Sequence, residues 1–151
     1  MARERNLNNL KTEKEGVQIL RELIPNFLVP RKEERIFIYK KLGIDHKKYS
    51  RSVDGIILNV KSISDINSRN DVDLIEIKTT KAKNIKKLPY GAFFGITENE
   101  ENLFKLMKNY KLCIVHTLTK DFVLLTFSEY ESLIQNKRIQ YQVNFKSKKQ
   151  E

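Results

Sequence analysis

Residues 72–80 read VDLIEIKTT, and this stretch decides how the rest of the chain is arranged. Side chains alternate between the two faces of a strand, so Leu74, Glu76 and Lys78 point one way while Asp73, Ile75 and Ile77 point the other. A carboxylate and an ammonium therefore share one face of an otherwise apolar strand. Upstream, VDGIILNVKSI (residues 53–63) has the same β-branched character, and the polar stretch SDINSRND (residues 64–71) separates the two runs. Two adjacent strands joined as a hairpin is the economical reading. Folding that hairpin brings Asp54, 22 residues upstream, opposite Glu76 at one end of the sheet.

Working outward toward the N-terminus, Leu10, Val17, Ile19, Leu20, Leu23 and Ile24 gather on one side of a helical wheel, and Pro25 ends the pattern. Pro30 opens a second helix, Arg31 to Leu42, with Glu33 and Glu34 in its first turn, Lys40 and Lys41 in its last and Gly43 just after. Ile36, Phe37 and Ile38 also suit a strand. Toward the C-terminus, Thr97 and Glu100 form a capping box ahead of Leu103, Phe104, Met107 and Tyr110 at helical spacing. KLCIVHTL and DFVLLTFS, separated by Thr119 and Lys120, read as a second pair of strands. Glu129 to Asn136 reads as a short helix, Ile139 to Phe145 as an edge strand, and residues 146–151 as a basic, frayed tail. The order predicts a single α/β (α+β) domain over residues 1–151, a mixed central sheet flanked by helices.

Composition narrows the functions. The chain has 151 residues, 40% of them hydrophobic, which suffices for one ordinary core. No apolar run approaches the ~18 residues of a membrane span, and Met1 to Asn9 lacks the apolar stretch of a signal peptide. A soluble, cytoplasmic protein is expected. One cysteine, Cys113, and two histidines, His46 and His116, make a thiolate or imidazole zinc site improbable, so the ligands of any metal are expected to be oxygens. The glycines form neither a Walker loop nor a GxG fingerprint, and no nucleotide cofactor is expected. Twenty-nine Lys and Arg against nineteen Asp and Glu leave +10, which favours a polyanion partner, since each neutralised phosphate releases counterions.

Two carboxylates brought together repel each other, and a hard divalent cation between them relieves the repulsion. Mg²⁺ suits such a site, with Mn²⁺ able to substitute. It keeps several waters and takes further coordination from a phosphate, polarising the phosphorus and lowering the pKa of an attacking water. Lys78, on the same face as Glu76, is placed to orient that water. The reaction these residues assemble is phosphodiester hydrolysis.

Asp54 in SVDGII, with Glu76 and Lys78 in DLIEIKTT, resembles the PD-(D/E)xK nuclease superfamily of restriction, homing and junction-resolving endonucleases. The order of elements is similar to that superfamily's αβββαβ, restriction-endonuclease-like core, over roughly Glu13 to Phe127, with Val53 at the motif's proline. The resemblance implies that Asp54 and Glu76 bind the metal and that Lys78 assists the nucleophile. It also implies a further acid from the first helix. Glu13 falls within the apolar arc with Val17, Leu20 and Ile24, whereas Glu15 lies on the outer side. If Thr12 caps the helix, Glu15 completes its capping box and Glu13 is left for the metal.

Directly after the ExK strand, KTTKAKNIKKLP supplies Lys81, Lys83, Lys86 and Lys87 without an acidic residue, and with Arg51 and Arg69 these are the expected DNA contacts. The expected activity is a Mg²⁺-dependent endonuclease acting on double-stranded DNA, of restriction or homing type, as a homodimer or dimer of dimers so that both strands are cut. A Holliday-junction resolvase acting on branched DNA is the nearest alternative. Two readings need no catalysis. In one, the acids and Lys78 are a cross-strand ion pair of a nucleic-acid-binding domain. In the other, the chain is a basic subunit of a ribonucleoprotein. Tyr90, Phe93 and Phe94 read as core or hinge aromatics, with base stacking the competing role. His46 reads as a surface residue near the DNA backbone, His116 as a structural histidine and Cys113 as a small buried hydrophobe.

Overall fold

The structure, a computed structural model, describes residues 2–148, with side chains from residue 11 onward. In chain order the elements are α1 (Ala2–Leu23), β1 (Phe27–Leu28), α2 (Lys32–Leu42), β2 (Gly55–Leu58), a 3-10 turn (Ile63–Asp65), β3 (Val72–Thr80), α3 (Glu98–Leu106), β4 (Tyr110–His116), β5 (Asp121–Leu125) and α4 (Phe127–Leu133). The strands form one sheet in the order β1-β2-β3-β4-β5. β1, β2 and β3 form an antiparallel meander, β3 and β4 are parallel, and β4 and β5 form an antiparallel hairpin. Parallel neighbours cannot be joined by a tight turn, and the crossover from β3 to β4 carries α3.

β3 is central and covered on both faces, which is why its apolar run is nearly continuous. On one face Ile75 and Ile77 pack with Cys113, Val115 and the α1 residues Ile19 and Leu20. On the other, Leu74, Leu112 and Ile114 meet Ile38 and Tyr39 of α2, Leu103 and Phe104 of α3 and Tyr130 of α4. Gly16 makes the approach of α1 possible, because a Cβ there would stand 3.0 Å from side-chain carbons of both Ile77 and Thr79. Glu13 lies one turn away from Gly16. α2 ends as its sequence predicts, at Gly43 in the left-handed conformation (φ 71°). Burial of Ile38 and Tyr39 against the sheet decides for helix over strand there. α3 begins with the expected capping box: Glu100 N–H donates to Thr97 Oγ1 (3.1 Å) and Thr97 N–H to Glu100 Oε1 (2.8 Å).

Four expectations need correction. α1 begins at Ala2 rather than near Leu10, so Thr12 lies inside the helix and does not cap it. Residues 2–9 lack the apolar periodicity that marks an amphipathic helix, yet contain no Gly or Pro to stop one. The last helix is Phe127–Leu133, capped by Thr126, rather than Glu129 to Asn136. Ile139 to Phe145 is not a strand of this sheet: it has no regular structure and its apolar side chains are exposed. Of the aromatics in the β3–α3 crossover only Phe94 packs against the core, while Tyr90 and Phe93 are exposed. Two-residue β1, between Pro25 and Pro30, is too short to announce itself in the sequence. Of the tail, residues 146–148 are exposed and residues 149–151 lie outside the described residues. Among the described residues no helix is long and apolar enough to cross a membrane.

Candidate active site

Asp54 is delivered by a turn-rich stretch whose carbonyls are taken by side chains from other elements. Tyr39 Oη donates to Tyr49 O (2.9 Å), Arg35 to Ser50 O (3.1 Å) and Val53 O (2.7 Å), and Tyr110 Oη to Ser52 O (2.6 Å). Satisfying these acceptors, two of them buried, holds the stretch in one path. Asp54 N–H then donates to Ile75 O (2.8 Å), and the register Gly55↔Ile75 continues one step to set Asp54 opposite Glu76. The carboxylate is fixed as well: its Oδ2 accepts from Ile77 N–H (2.8 Å), standing in for the next carbonyl of the ladder.

Glu76 is 4% exposed. Its Oε1 lies 3.3 Å from Lys78 Nζ, while its Oε2 is buried and accepts no hydrogen bond. Lys78 also reaches Glu100 on α3, at 3.1 and 3.3 Å from the two carboxyl oxygens. Alternation along β3 puts Glu76 and Lys78 on the same face as Leu74, and α3 packs on that face, so Glu100 comes down onto them. One ammonium is therefore held between two buried carboxyls.

Burial, a hydrogen bond shared with Glu100 and the nearby charge of Asp54 push Glu76 up to about 12. The two carboxyls therefore share a proton, with Glu76 the harder of the two to ionise. Burial works against the Glu100 charge as well, but the Glu76 proton, the Lys78 ammonium and the Thr97 N–H together hold it below the usual carboxylate range. Burial likewise opposes the Lys78 charge, and Glu76 and Glu100 outweigh it, raising the amine above its ordinary value.

Glu13 reaches Asp54 from α1. Burial, a hydrogen bond with Asp54 and that residue's charge raise its carboxyl to about 7. Between its ordinary 4.5 and 7 the folded chain binds more protons at Glu13 than the unfolded chain does, so this group's effect is to lower stability as pH rises through that window. Glu13→Gln keeps a donor to Asp54 and removes the charge. The variant is expected to be more stable than the parent above pH 7 by about 1 kcal/mol, allowing for solvent screening at a partly exposed site. Urea unfolding at about pH 5 and about pH 8 reads both the gain and the lost slope.

Glu13, Asp54 and Glu76 line a cleft of about 860 Å³ whose walls carry Lys14, Arg21, Arg35 and Arg51. Arg51 also borders a neighbouring depression of about 490 Å³ with Lys48, Asn99 and Glu100. Lys81, Lys83, Lys86 and Lys87 are exposed in the crossover directly after β3, with Lys81 3.8 Å from Glu15. Glu15 is therefore turned to that loop and Glu13 to the cleft. Arg69 is not brought to the site: it lies in the β2–β3 loop, beyond the end of the hairpin opposite Asp54. His46 is partly exposed. His116 is buried, accepting from Thr119 N–H at Nδ1 (3.3 Å), so its Nε2 donates to Ala82 O (2.8 Å). Burial pushes the Cys113 thiol up to about 12.

Sequence reasoning missed two residues of this site. Arg35 shows no local pattern, because its acceptors belong to another segment. Glu100 did carry a signal beyond its cap: with Leu103, Phe104 and Met107 it lies on the apolar stripe of α3, as Glu13 does on α1.

The donor set suits a hard divalent cation. Among the described residues no group of three or more His, Cys, Asp and Glu is disposed to hold a metal ion as it stands. The carboxyls are instead hydrogen-bonded in pairs, Glu13 with Asp54 and Glu76 with Glu100. The buried Glu76 Oε2, which accepts no hydrogen bond, is an oxygen that such an ion satisfies once its proton is displaced, and a cation is the natural replacement for protons held on crowded acids. No family model, curated protein or solved structure matches this chain.

Proposed function

We propose that this chain is a divalent-metal-dependent DNA endonuclease of the restriction-endonuclease-like kind. The observation that carries the reading is the Asp54 carboxylate, clamped to β3 opposite Glu76 in a cleft with basic walls, with the Lys78 ammonium held between the Glu76 and Glu100 carboxyls at its back. The order α1, β1, β2, β3, α3, β4, with α2 set between β1 and β2, supports an αβββαβ core.

Asp54 and Glu76, joined by Glu13, are the residues that would hold Mg²⁺ or Mn²⁺, and a cation there polarises a phosphodiester and lowers the pKa of a water. Lys78, fixed by Glu76 and Glu100, orients the nucleophile and offsets negative charge growing on the phosphorus. Arg51 and the lysines of the crossover hold the DNA backbone. Cutting both strands takes two copies of so small a chain.

A structure-selective action on branched DNA is favoured by one observation. Phe93 is 92% and Tyr90 62% exposed on the same lysine-rich crossover, and such rings stack on base faces that the branch point of a junction opens. Incubation with supercoiled, linear and four-way-branched DNA, with and without Mg²⁺, tests both readings. Nicking that requires the ion supports the enzyme, and binding without turnover in every case leaves only a nucleic-acid-binding domain. Neutralising Lys83, Lys86 and Lys87 is expected to weaken binding to all sequences alike and to flatten its salt dependence by about 0.9 for each phosphate that is no longer neutralised. A changed site preference instead means that the loop reads bases.

A further inference from the structure

Residues 139–145, Ile-Gln-Tyr-Gln-Val-Asn-Phe, alternate apolar and polar as a half-buried strand does, yet Ile139, Tyr141, Val143 and Phe145 are 77–90% exposed. A strand with one apolar face needs a sheet edge to pair with and an apolar surface to cover. The sheet offers both at β5. Among the described residues nothing pairs with the outer edge of β5. On the α1 side of that edge Leu124 is 36% exposed, and Leu118 in the preceding turn is 57% exposed.

We propose that this segment is an exchanged arm, which adds as a sixth strand to the β5 edge of a second copy of the chain while that copy's arm does the same in return. Three observations commit the arm to a second copy. Lys137 Nζ is tied to Glu101 Oε1 at 2.6 Å, and Glu101 Oε2 accepts from Tyr130 Oη at 2.6 Å, so the arm is rooted on the α3 and α4 face. Leu124 pairs with Cys113, whose side chain faces α1, so the apolar surface to be covered lies on the other face. Charge is complementary: Asp121 to Leu133 carries Asp121, Glu129 and Glu131 with no Lys or Arg, while Lys137 to Lys148 carries Lys137, Arg138, Lys146 and Lys148 with no acid.

Area is sufficient as well. Reciprocal exchange buries the four large apolar side chains of both arms, on the order of 1,200 Å² before the surfaces they cover are added, within the range of a specific dimer. The interface is isologous and closes as a pair, so it caps the open edges rather than propagating a fibre. It stands independently of nuclease activity.

Sedimentation of the full chain is expected to give a dimer. Two variants, both altered only at exposed positions, are expected to halve the sedimenting mass with unchanged circular dichroism. One is Tyr141→Lys with Phe145→Lys, which spoils the arm. The other is Leu124→Lys, which spoils the acceptor. Mixed, the two monomers are expected to associate through the one intact arm and the one intact edge. A full chain that sediments as a monomer overturns the proposal. Amide exchange then says where the arm goes: protection in the monomer shows pairing within one chain, and protection only on adding duplex assigns the arm to DNA. Because neither readout involves cleavage, failure here and failure of the nuclease reading are told apart.

Discussion

Glu76→Gln is expected to lower Mg²⁺-dependent DNA cleavage on the order of 1,000-fold while leaving the fold and the affinity for duplex intact. The two halves of this expectation have separate causes. Burial and the neighbouring acids keep a proton on Glu76, pushed up to about 12, so the ion-free chain already holds a neutral side chain there. Glutamine has the same shape, and its amide N–H replaces the O–H that Glu76 gives to Glu100. Stability is therefore expected to change by less than about 0.5 kcal/mol, as for a substitution that preserves its hydrogen bonds. What glutamine lacks is an anionic state with which to meet a cation. Nicking of supercoiled DNA measures the first half and urea unfolding the second. Parental cleavage rates in this variant end the catalytic assignment of Glu76.

Lys78→Met is expected to abolish cleavage and also to destabilise the chain by about 2–4 kcal/mol, because removing one partner of a buried ion pair leaves the other uncompensated. The stranded group is Glu100, 5% exposed, which keeps only the Thr97 N–H and the shared Glu76 proton. Adding Glu100→Gln to Lys78→Met is expected to restore most of the stability and none of the activity. Coupling between the two sites, read from urea midpoints of both single variants and the double, measures the pair. If the double variant unfolds as readily as Lys78→Met, Glu100 is not what the ammonium balances. The pH dependence has a definite sign. Glu100 ionises below its ordinary 4.5 and Lys78 above its ordinary 10.5, so the pair's contribution is full between those values. It fades as pH falls through the folded value of Glu100 or rises through that of Lys78.

Much of the site was legible in the sequence because its parts are local. Alternation in VDLIEIKTT placed Glu76 and Lys78 on one face, and the polar stretch before it implied the hairpin that sets Asp54 opposite Glu76. The position of Glu13 on the wheel of α1 pointed it to the cleft that Asp54 and Glu76 line. Arg69 illustrates the limit. It was expected among the DNA contacts, and the hairpin sends its turn away from the residues at its open end. Tyr90 and Phe93 illustrate another, since an aromatic in a loop has no periodicity from which burial can be read.

By itself the sequence determined the strands of the β2–β3 and β4–β5 hairpins, the capping box of α3 and the acids and lysine that share one end of a sheet. Each depends on spacings of two, three or four residues, where backbone geometry alone decides which side chains meet. Only the tertiary structure decided that β4 runs parallel to β3, that α3 lowers Glu100 onto Lys78 and that residues 139–145 find no edge within their own chain. Those outcomes depend on interactions between residues far apart in sequence, where many weak burial terms are summed and no local pattern records the total.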